Sequence, residues 1–368
     1  MFAIFIIRPL QLRRMRAVVA IFVVTRLALL VTVLAALSFL TPASCPVCRE
    51  ASSVPLLSAL ANWDGAAYLD IARLGYQGLD PSYAAYFPLY PLLMWLGGSA
   101  GGGSTDAFII AGLVLSNAAC LAASVVLARL AQDRTRGLKA ASYLLIFPTT
   151  IFLSALYADS LFIALAAGSG LAARHKRWWT TGALAAAAAV TRPFGILGMI
   201  PLCVALWRDR ATAPRASILT ILLPPAALAL WEAYLYALTG DPLAVVHGYT
   251  SGFTPRQPLQ AFTDLLDPAV YGFPWFVAGA FALFVVLTVI TWRRTERGLA
   301  LYATAMMLVI GGAGSLTSSM RYELSVYPAF IALADAARSR VPNAVWWVVS
   351  ALLAVFFAAM FALDFWAG

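Results

Sequence analysis

Eleven apolar runs dominate the chain, covering about residues 17–40, 106–130, 138–155, 158–173, 178–190, 194–207, 217–238, 271–292, 299–316, 322–337 and 344–365. A helix crossing a bilayer needs about 20 apolar residues, and a water-soluble fold has no interior large enough to hide so many such segments. Of the 368 residues, 62% are apolar and 11% charged, against roughly a quarter charged in soluble domains. The surplus must meet lipid. The expected architecture is all-α and polytopic, one transmembrane domain over residues 1–368 with about eleven crossings. Several runs are shorter than a perpendicular crossing requires, as are broken helices that line cavities.

The first run follows Arg8, Arg13, Arg14 and Arg16. That is the layout of a signal peptide, but the run is too long for a cleavable apolar core, so it reads as a retained first helix with a cytoplasmic start. Basic residues should then fall on every second loop. Nineteen of the 25 Lys and Arg do so, in groups at 8–16, 129–139, 174–177, 208–215, 293–297 and 338–340. His175 lies among them and marks topology. The net charge of +9 is therefore an orientation signal, and nucleic acid is not implied.

Arg26, Arg49, Arg73, Arg192, Arg256 and Arg321 break the pattern. The alternation also requires the stretch 86–97, an apolar run closed by GGSAGGG, to be re-entrant rather than crossing. Two long outer loops result, 41–105 and 240–270, and no solenoid-type repeat is visible.

Most acids fall on the outer side, so chemistry is expected there. In the first outer loop, Leu56, Leu60, Trp63, Ala67, Ile71 and Leu74 step by three or four, which predicts one amphipathic helix over 54–76 lying on the membrane surface. Asp64 projects about 100° from that stripe, at the water–lipid boundary beside Trp63 and above Tyr68. There it could take a proton from a hydroxyl while a lipid-borne group approaches; the plain alternative is a helix cap or a solvated acid.

Arg192 precedes Pro193, which breaks an apolar run so that freed backbone groups and a guanidinium converge. Arg321 opens a run beside Tyr322 and Glu323. Both arginines, with Tyr322, are candidates for holding a phosphate, since intramembrane charge is costly and the guanidinium fork suits phosphate. The alternatives are interfacial snorkelling or an ion pair such as Arg321 with Glu323.

The segments NWDGAAYLDIARLGY at 62–76 and YFPLYPLL at 86–93 resemble the PIG-V family of GPI mannosyltransferase 2, including bacterial relatives. TRL at 25–27, FPTTIFLSALYADSLF at 147–162, TRPFG at 191–195, TGDPLAVV at 239–246 and SMRYELSVYPAF at 319–330 follow in family order. The resemblance implies a GT-C glycosyltransferase fold and transfer of mannose from a polyprenyl-phosphate carrier to an acceptor on the non-cytoplasmic face; attack by the acceptor hydroxyl opposite the phosphate would invert the anomeric carbon. Such a donor carries its own leaving group, so the protein needs a base and cations but no nucleotide site, and no dinucleotide or phosphate-loop motif is present.

Asp64 is the expected base, Arg192, Arg321 and Tyr322 the phosphate contacts, and Trp63, Tyr68, Asp159 and His247 substrate contacts. Asp159 could equally partner a buried arginine, and His247 could be an ordinary loop residue. Arg26 and Glu232 read as structural.

No acidic cluster demands a metal, so no metal or other cofactor is expected. The expected partners are the polyprenyl-phosphate-mannose donor, a lipid-linked or glycan acceptor, and membrane lipids. Cys45 and Cys48 form CPVC, either a local disulfide or a thiol pair; Cys120 and Cys203 read as apolar filler. The compact length, Ala and Arg usage and short loops fit a bacterial plasma membrane with the site on the periplasmic face. A different carrier-linked sugar, or a lipid transporter or scramblase, fits the same intramembrane charges and broken helices.

Overall fold

Each apolar run contains helix, because in hydrocarbon only a helix satisfies its own backbone groups, but the helices differ in how far they extend. The computed structural model describes residues 9–43, 51–252, 257, 260–263, 273–337 and 339–367, and no strand occurs among them. In chain order the helices are α1 (Pro9–Phe39), α2 (Pro55–Leu60), α3 (Asp64–Leu74), α4 (Leu89–Ala100), α5 (Thr105–Leu130), α6 (Arg134–Leu145), α7 (Asp159–Arg174), α8 (Trp178–Ala189) and α9 (Met199–Arg208). There follow α10 (Leu223–Thr239), α11 (Ala244–Gly252), α12 (Gln260–Thr263), α13 (Pro274–Arg294), α14 (Arg297–Gly312), α15 (Ser319–Glu323), α16 (Tyr327–Ala336) and α17 (Arg340–Ala362).

Among the described residues, five segments are long and apolar enough to cross a membrane: Met15–Phe39, Thr105–Leu130, Arg215–Thr239, Pro274–Arg294 and Arg340–Ala362. Pro193–Arg208 and Arg297–Gly312 are shorter apolar helices. The chain is thus an integral membrane protein by helix length and composition. At about 1.5 Å per residue, α4 is only about 18 Å long, too short to cross, and it lies beside α5.

Three runs read as single helices are broken. The run 138–155 is α6 followed by a 3₁₀ turn at Thr150–Leu153, because Pro148 cannot continue the helix. The run 322–337 divides into α15 and the buried α16. The amphipathic helix expected over 54–76 is α2 and α3, separated by a corner at Trp63 whose φ is +57°. Nor does α3 lie free on a surface, since Ala67, Tyr68, Leu69, Asp70, Ile71 and Ala72 are buried.

The basic loops meet at one end of the bundle. Arg174 bonds the Leu130 carbonyl (2.8 Å) and Glu296 (2.7 Å), Arg136 pairs with Asp335 (2.8 Å), and Lys139 bonds the Ala337 carbonyl (2.8 Å). Asp159 begins α7 and Arg174 ends it, so these groups stand about 22 Å apart along one helix axis. The ends of α5, α7, α9 and α13 carry arginines that complement the helix dipole. Between the two ends, Phe147, Phe284 and Phe330 pack edge to face with centroids 5.5–5.7 Å apart, and the Ala- and Gly-rich faces of α7 and α8 pack closely.

Candidate active site

Four charged side chains from four separate elements meet at the end of the bundle opposite the basic loops. Asp159 is the first residue of α7, Asp64 the first of α3, and Arg321 lies in α15. Arg192 closes the α8 segment in extended conformation (φ −150°), as the following Pro193 demands. Gly195 lets this turn press on α8, since a Cβ there would strike the Ala188 carbonyl.

The four groups form a chain of alternating charge. Arg192 pairs with Oδ1 of Asp159. Arg321 donates from Nε to Oδ2 of Asp159 (3.1 Å), its Nη2 stands in ion-pair range of the same oxygen (3.1 Å), and Nη1 donates to Oδ2 of Asp64 (2.5 Å). Two acids and two bases sum to zero, the condition under which such charges can be buried. Aromatic faces enclose the cations: Phe194 and Tyr322 lie 5.0 and 5.2 Å from Arg192, and Tyr157 and Phe152 lie 4.4 and 5.2 Å from Arg321. Tyr322 also reaches Arg321, at 5.7 Å, so its ring bridges the two guanidiniums.

Exposure separates one member from the rest. The side chains of Asp159, Arg321 and Arg192 are 0, 2 and 6% exposed, whereas that of Asp64 is 25% exposed. A molecule arriving from outside meets Asp64 first. Its second oxygen accepts a hydrogen bond from the Tyr86 hydroxyl (3.1 Å). Burial, and then the charge of Asp64, push the Tyr86 phenol far above its usual range, so Tyr86 acts as a donor.

Trp63 aims the acid by adopting a left-handed φ that bulky residues avoid. Its ring packs on Trp366 at 5.3 Å. Tyr68 stands edge-on to Tyr86 and Tyr90, at 5.3 and 5.0 Å.

Two apolar grooves flank Trp231. One of about 580 Å³ is lined by Phe87, Pro193, Glu232, Val245 and Tyr249, next to Arg192. The other, of about 710 Å³, runs past Tyr76, Leu89, Trp95, Leu230 and Tyr234, with Arg73 on its wall.

Residues 10–211 match the family described as Mannosyltransferase (PIG-V), more than half of the chain. The chain belongs to this family. Among solved structures, an Archaeoglobus fulgidus oligosaccharyltransferase, crystallised with zinc and sulfate, is similar at 13% identity and a TM-score of 0.44. The similarity covers 92% of this chain and 53% of that one, so the chain spans about half the length of that structural relative. No curated protein sequence matches the chain.

The PIG-V region contains Trp63, Asp64, Tyr68, Asp159 and Arg192; Arg321, Tyr322 and His247 lie beyond it. His247 is apart from the ion-pair chain. It is 59% exposed and bonds Asp241 at 2.7 Å, and Asp241 is held below the usual carboxylate range by the Leu243 N–H and then by this histidine.

The pairing of Arg321 with Glu323 considered from sequence does not form. Glu323 is buried and neither carboxylate oxygen has a partner. Arg26 bonds Ser154 (2.9 Å), Thr150 (2.9 Å) and the Leu145 carbonyl (2.7 Å), tying α1 to the turn after α6. Cys45 and Cys48 lie outside the described residues. Among those residues no three His, Cys, Asp or Glu side chains cluster as a metal would require.

Tyr86, Tyr157 and Asn62 belong to the site's surroundings yet carry no charge to single them out, and Asp364 is an acid that bonds Asn62 across 302 residues. Tyr157 stands two residues before Asp159 in FPTTIFLSALYADSLF, where tyrosine beside an acid was an available signal, whereas Tyr86 opens YFPLYPLL, which holds no acid. Asp364 has no neighbouring motif.

Proposed function

We propose that this PIG-V member is an inverting GT-C mannosyltransferase that moves mannose from polyprenyl-phosphate-mannose to an acceptor hydroxyl on the non-cytoplasmic face of the membrane. The observation that carries the reading is that, in the chain Arg192–Asp159–Arg321–Asp64, the reachable group is the carboxylate at its end. Asp64 Oδ1, already facing the Tyr86 hydroxyl, accepts the proton of the acceptor hydroxyl as its oxygen attacks the anomeric carbon. The bond from that carbon to the phosphate oxygen breaks on the opposite face, inverting the configuration, and polyprenyl phosphate leaves with the electron pair.

The leaving phosphate gains charge as it departs. Guanidiniums fixed beforehand in a water-poor site stabilise that charge best, and each has five N–H donors, more than the ion pairs of Arg192 and Arg321 engage. The groove beside Pro193 and Tyr249 offers apolar wall next to Arg192 for the polyprenyl tail. Gathering of the basic loops at the far end supports an outward-facing site under the positive-inside rule.

The test is to incubate the purified chain with polyprenyl-phosphate-mannose, polyprenyl-phosphate-glucose and GDP-mannose in separate reactions, with membrane lipid extracts as acceptor. The anomeric configuration of the product is then read by NMR. Transfer from the first donor alone, with inversion, supports the proposal. Transfer from the sugar nucleotide, retention of configuration, or translocation of lipid without transfer would defeat it.

A further inference from the structure

The segment that follows α17 contacts the chain just before Asp64 and just before Arg321. Asp364 adopts a left-handed φ of +67°, which an aspartate tolerates better than most residues, and the chain there turns back toward the site. Asp364 accepts a hydrogen bond from the Asn62 side chain, and the Leu363 carbonyl accepts one from the Ala43 N–H (2.9 Å).

Trp366 then reaches in two directions. Its indole meets Trp63, the strained residue before Asp64, edge-on at 5.3 Å. Its Nε1 donates to the Thr317 carbonyl (3.2 Å), four residues before Arg321, and its ring lies 5.7 Å from Phe152, which faces the Arg321 guanidinium.

We propose that Asp364 and Trp366 are positioning residues that clamp the Asn62–Asp64 corner against the α15 turn and so hold Asp64 at its working distance from Arg321. This rests on the reading of Asp64 as the base. The physical need is clear from the corner itself. A tryptophan at φ +57° persists only if its surroundings over-determine it, and α2 and α3 are too short to hold their mutual angle unaided. The contacts that fix it come from about 300 residues further along the chain. They are hydrogen bonds and ring contacts placed on either side of the ion pair rather than within it.

The experiment compares Asp364→Ala, Trp366→Ala and Asp364→Asn in the full-length chain in lipid nanodiscs. Asparagine keeps an oxygen acceptor for Asn62. Three readouts are taken: steady-state transfer from polyprenyl-phosphate-mannose, apparent melting temperature, and amide hydrogen exchange at Gly65 and Ala66. Those two N–H groups bond the Asn62 and Trp63 carbonyls across the corner (3.0 Å each).

The alanine variants should lose kcat on the order of 10–100-fold, the scale of a small misplacement at a reacting centre, with the donor KM unchanged. Exchange at the corner should rise on the order of tenfold through local opening. The asparagine variant should recover most of both. Unchanged kcat and exchange in the alanine variants would overturn the clamp. So would a loss that follows the melting temperature and is not rescued by asparagine. A wild-type chain that transfers no mannose would refute the proposed reaction instead, and the exchange readout alone would then decide whether the clamp exists.

Discussion

Asp159 carries more of the site than its position suggests, and removing its charge tests whether the ion-pair chain is built as described. Asp159→Asn keeps the volume and one oxygen acceptor but leaves Arg192 and Arg321 with a single acid between them. The cluster then passes from neutral to one excess positive charge at a place where the Asp159 side chain is 0% exposed and its partners nearly so. Leaving a buried charge uncompensated costs about 3–5 kcal/mol. At roughly 2 °C per kcal/mol for a chain of this size, the apparent melting temperature should fall by roughly 6–10 °C.

The double variant Asp159→Asn/Arg192→Met restores neutrality with a side chain of comparable length. It should therefore recover part of the loss, with a coupling on the order of 2 kcal/mol between neighbours of this kind. Both are read by intrinsic-fluorescence melting in nanodiscs at matched scan rate. If the single variant melted within about 2 °C of wild type, or if the double variant were as damaged as the sum of the singles, the argument from charge balance would be wrong.

Other expectations follow from the same geometry. Tyr86→Phe removes one hydrogen bond to Asp64 and should lower kcat by about 3–10-fold, in keeping with about 0.5–1.5 kcal/mol per bond, without changing expression. Glu323→Gln takes away a carboxylate whose two oxygens are buried without partners, so the melting temperature should stay equal or rise; a drop above about 3 °C would contradict that. Asp241 has a lowered pKa, so its contribution to loop order is present above its unfolded value of about 3.9 and is lost as pH falls through the lower folded value. Hydrogen exchange across residues 240–252 should accordingly rise at the acid end.

Charges out of place were the most readable part of the sequence. Arg192 and Arg321 stood out because they defied the alternation of basic loops, and Asp64 and Asp159 because acids near an apolar run need a reason to be there. Asp159 was open to pairing with a buried arginine, but which acid meets which arginine was not readable. Arg321 meets Asp64 across 257 residues and Asp159 across 162, and local spacing instead suggested Glu323, two residues away, whose side chain packs elsewhere.

The same limit explains the helices. Pro148 interrupts the run 138–155, although apolar composition alone let it pass as one span; the corner at Trp63 carries no Gly or Pro, and the three-to-four spacing of apolar residues continues undisturbed through it. A tertiary contact with Trp366 sets that corner, and no periodicity within 54–76 encodes it. Among the described residues, Arg26 is a half-buried cation held by its two Nη groups without any acid, its Nε making no hydrogen bond. Its carbonyl and hydroxyl partners are the last residue of α6 and the turn that follows it, and nothing in the apolar run 138–155 shows that bonding role.

The central claim is that Asp64 takes the proton in the transfer step. The direct measurement is the initial rate of mannose transfer from labelled polyprenyl-phosphate-mannose by purified wild-type, Asp64→Asn and Asp64→Glu chains reconstituted to equal folded amounts. The account expects Asp64→Asn to lose on the order of 10²–10⁴-fold, the usual worth of a positioned general base, and Asp64→Glu to keep a small residual rate. An Asp64→Asn chain that inserts, folds and transfers mannose near the wild-type rate would contradict it.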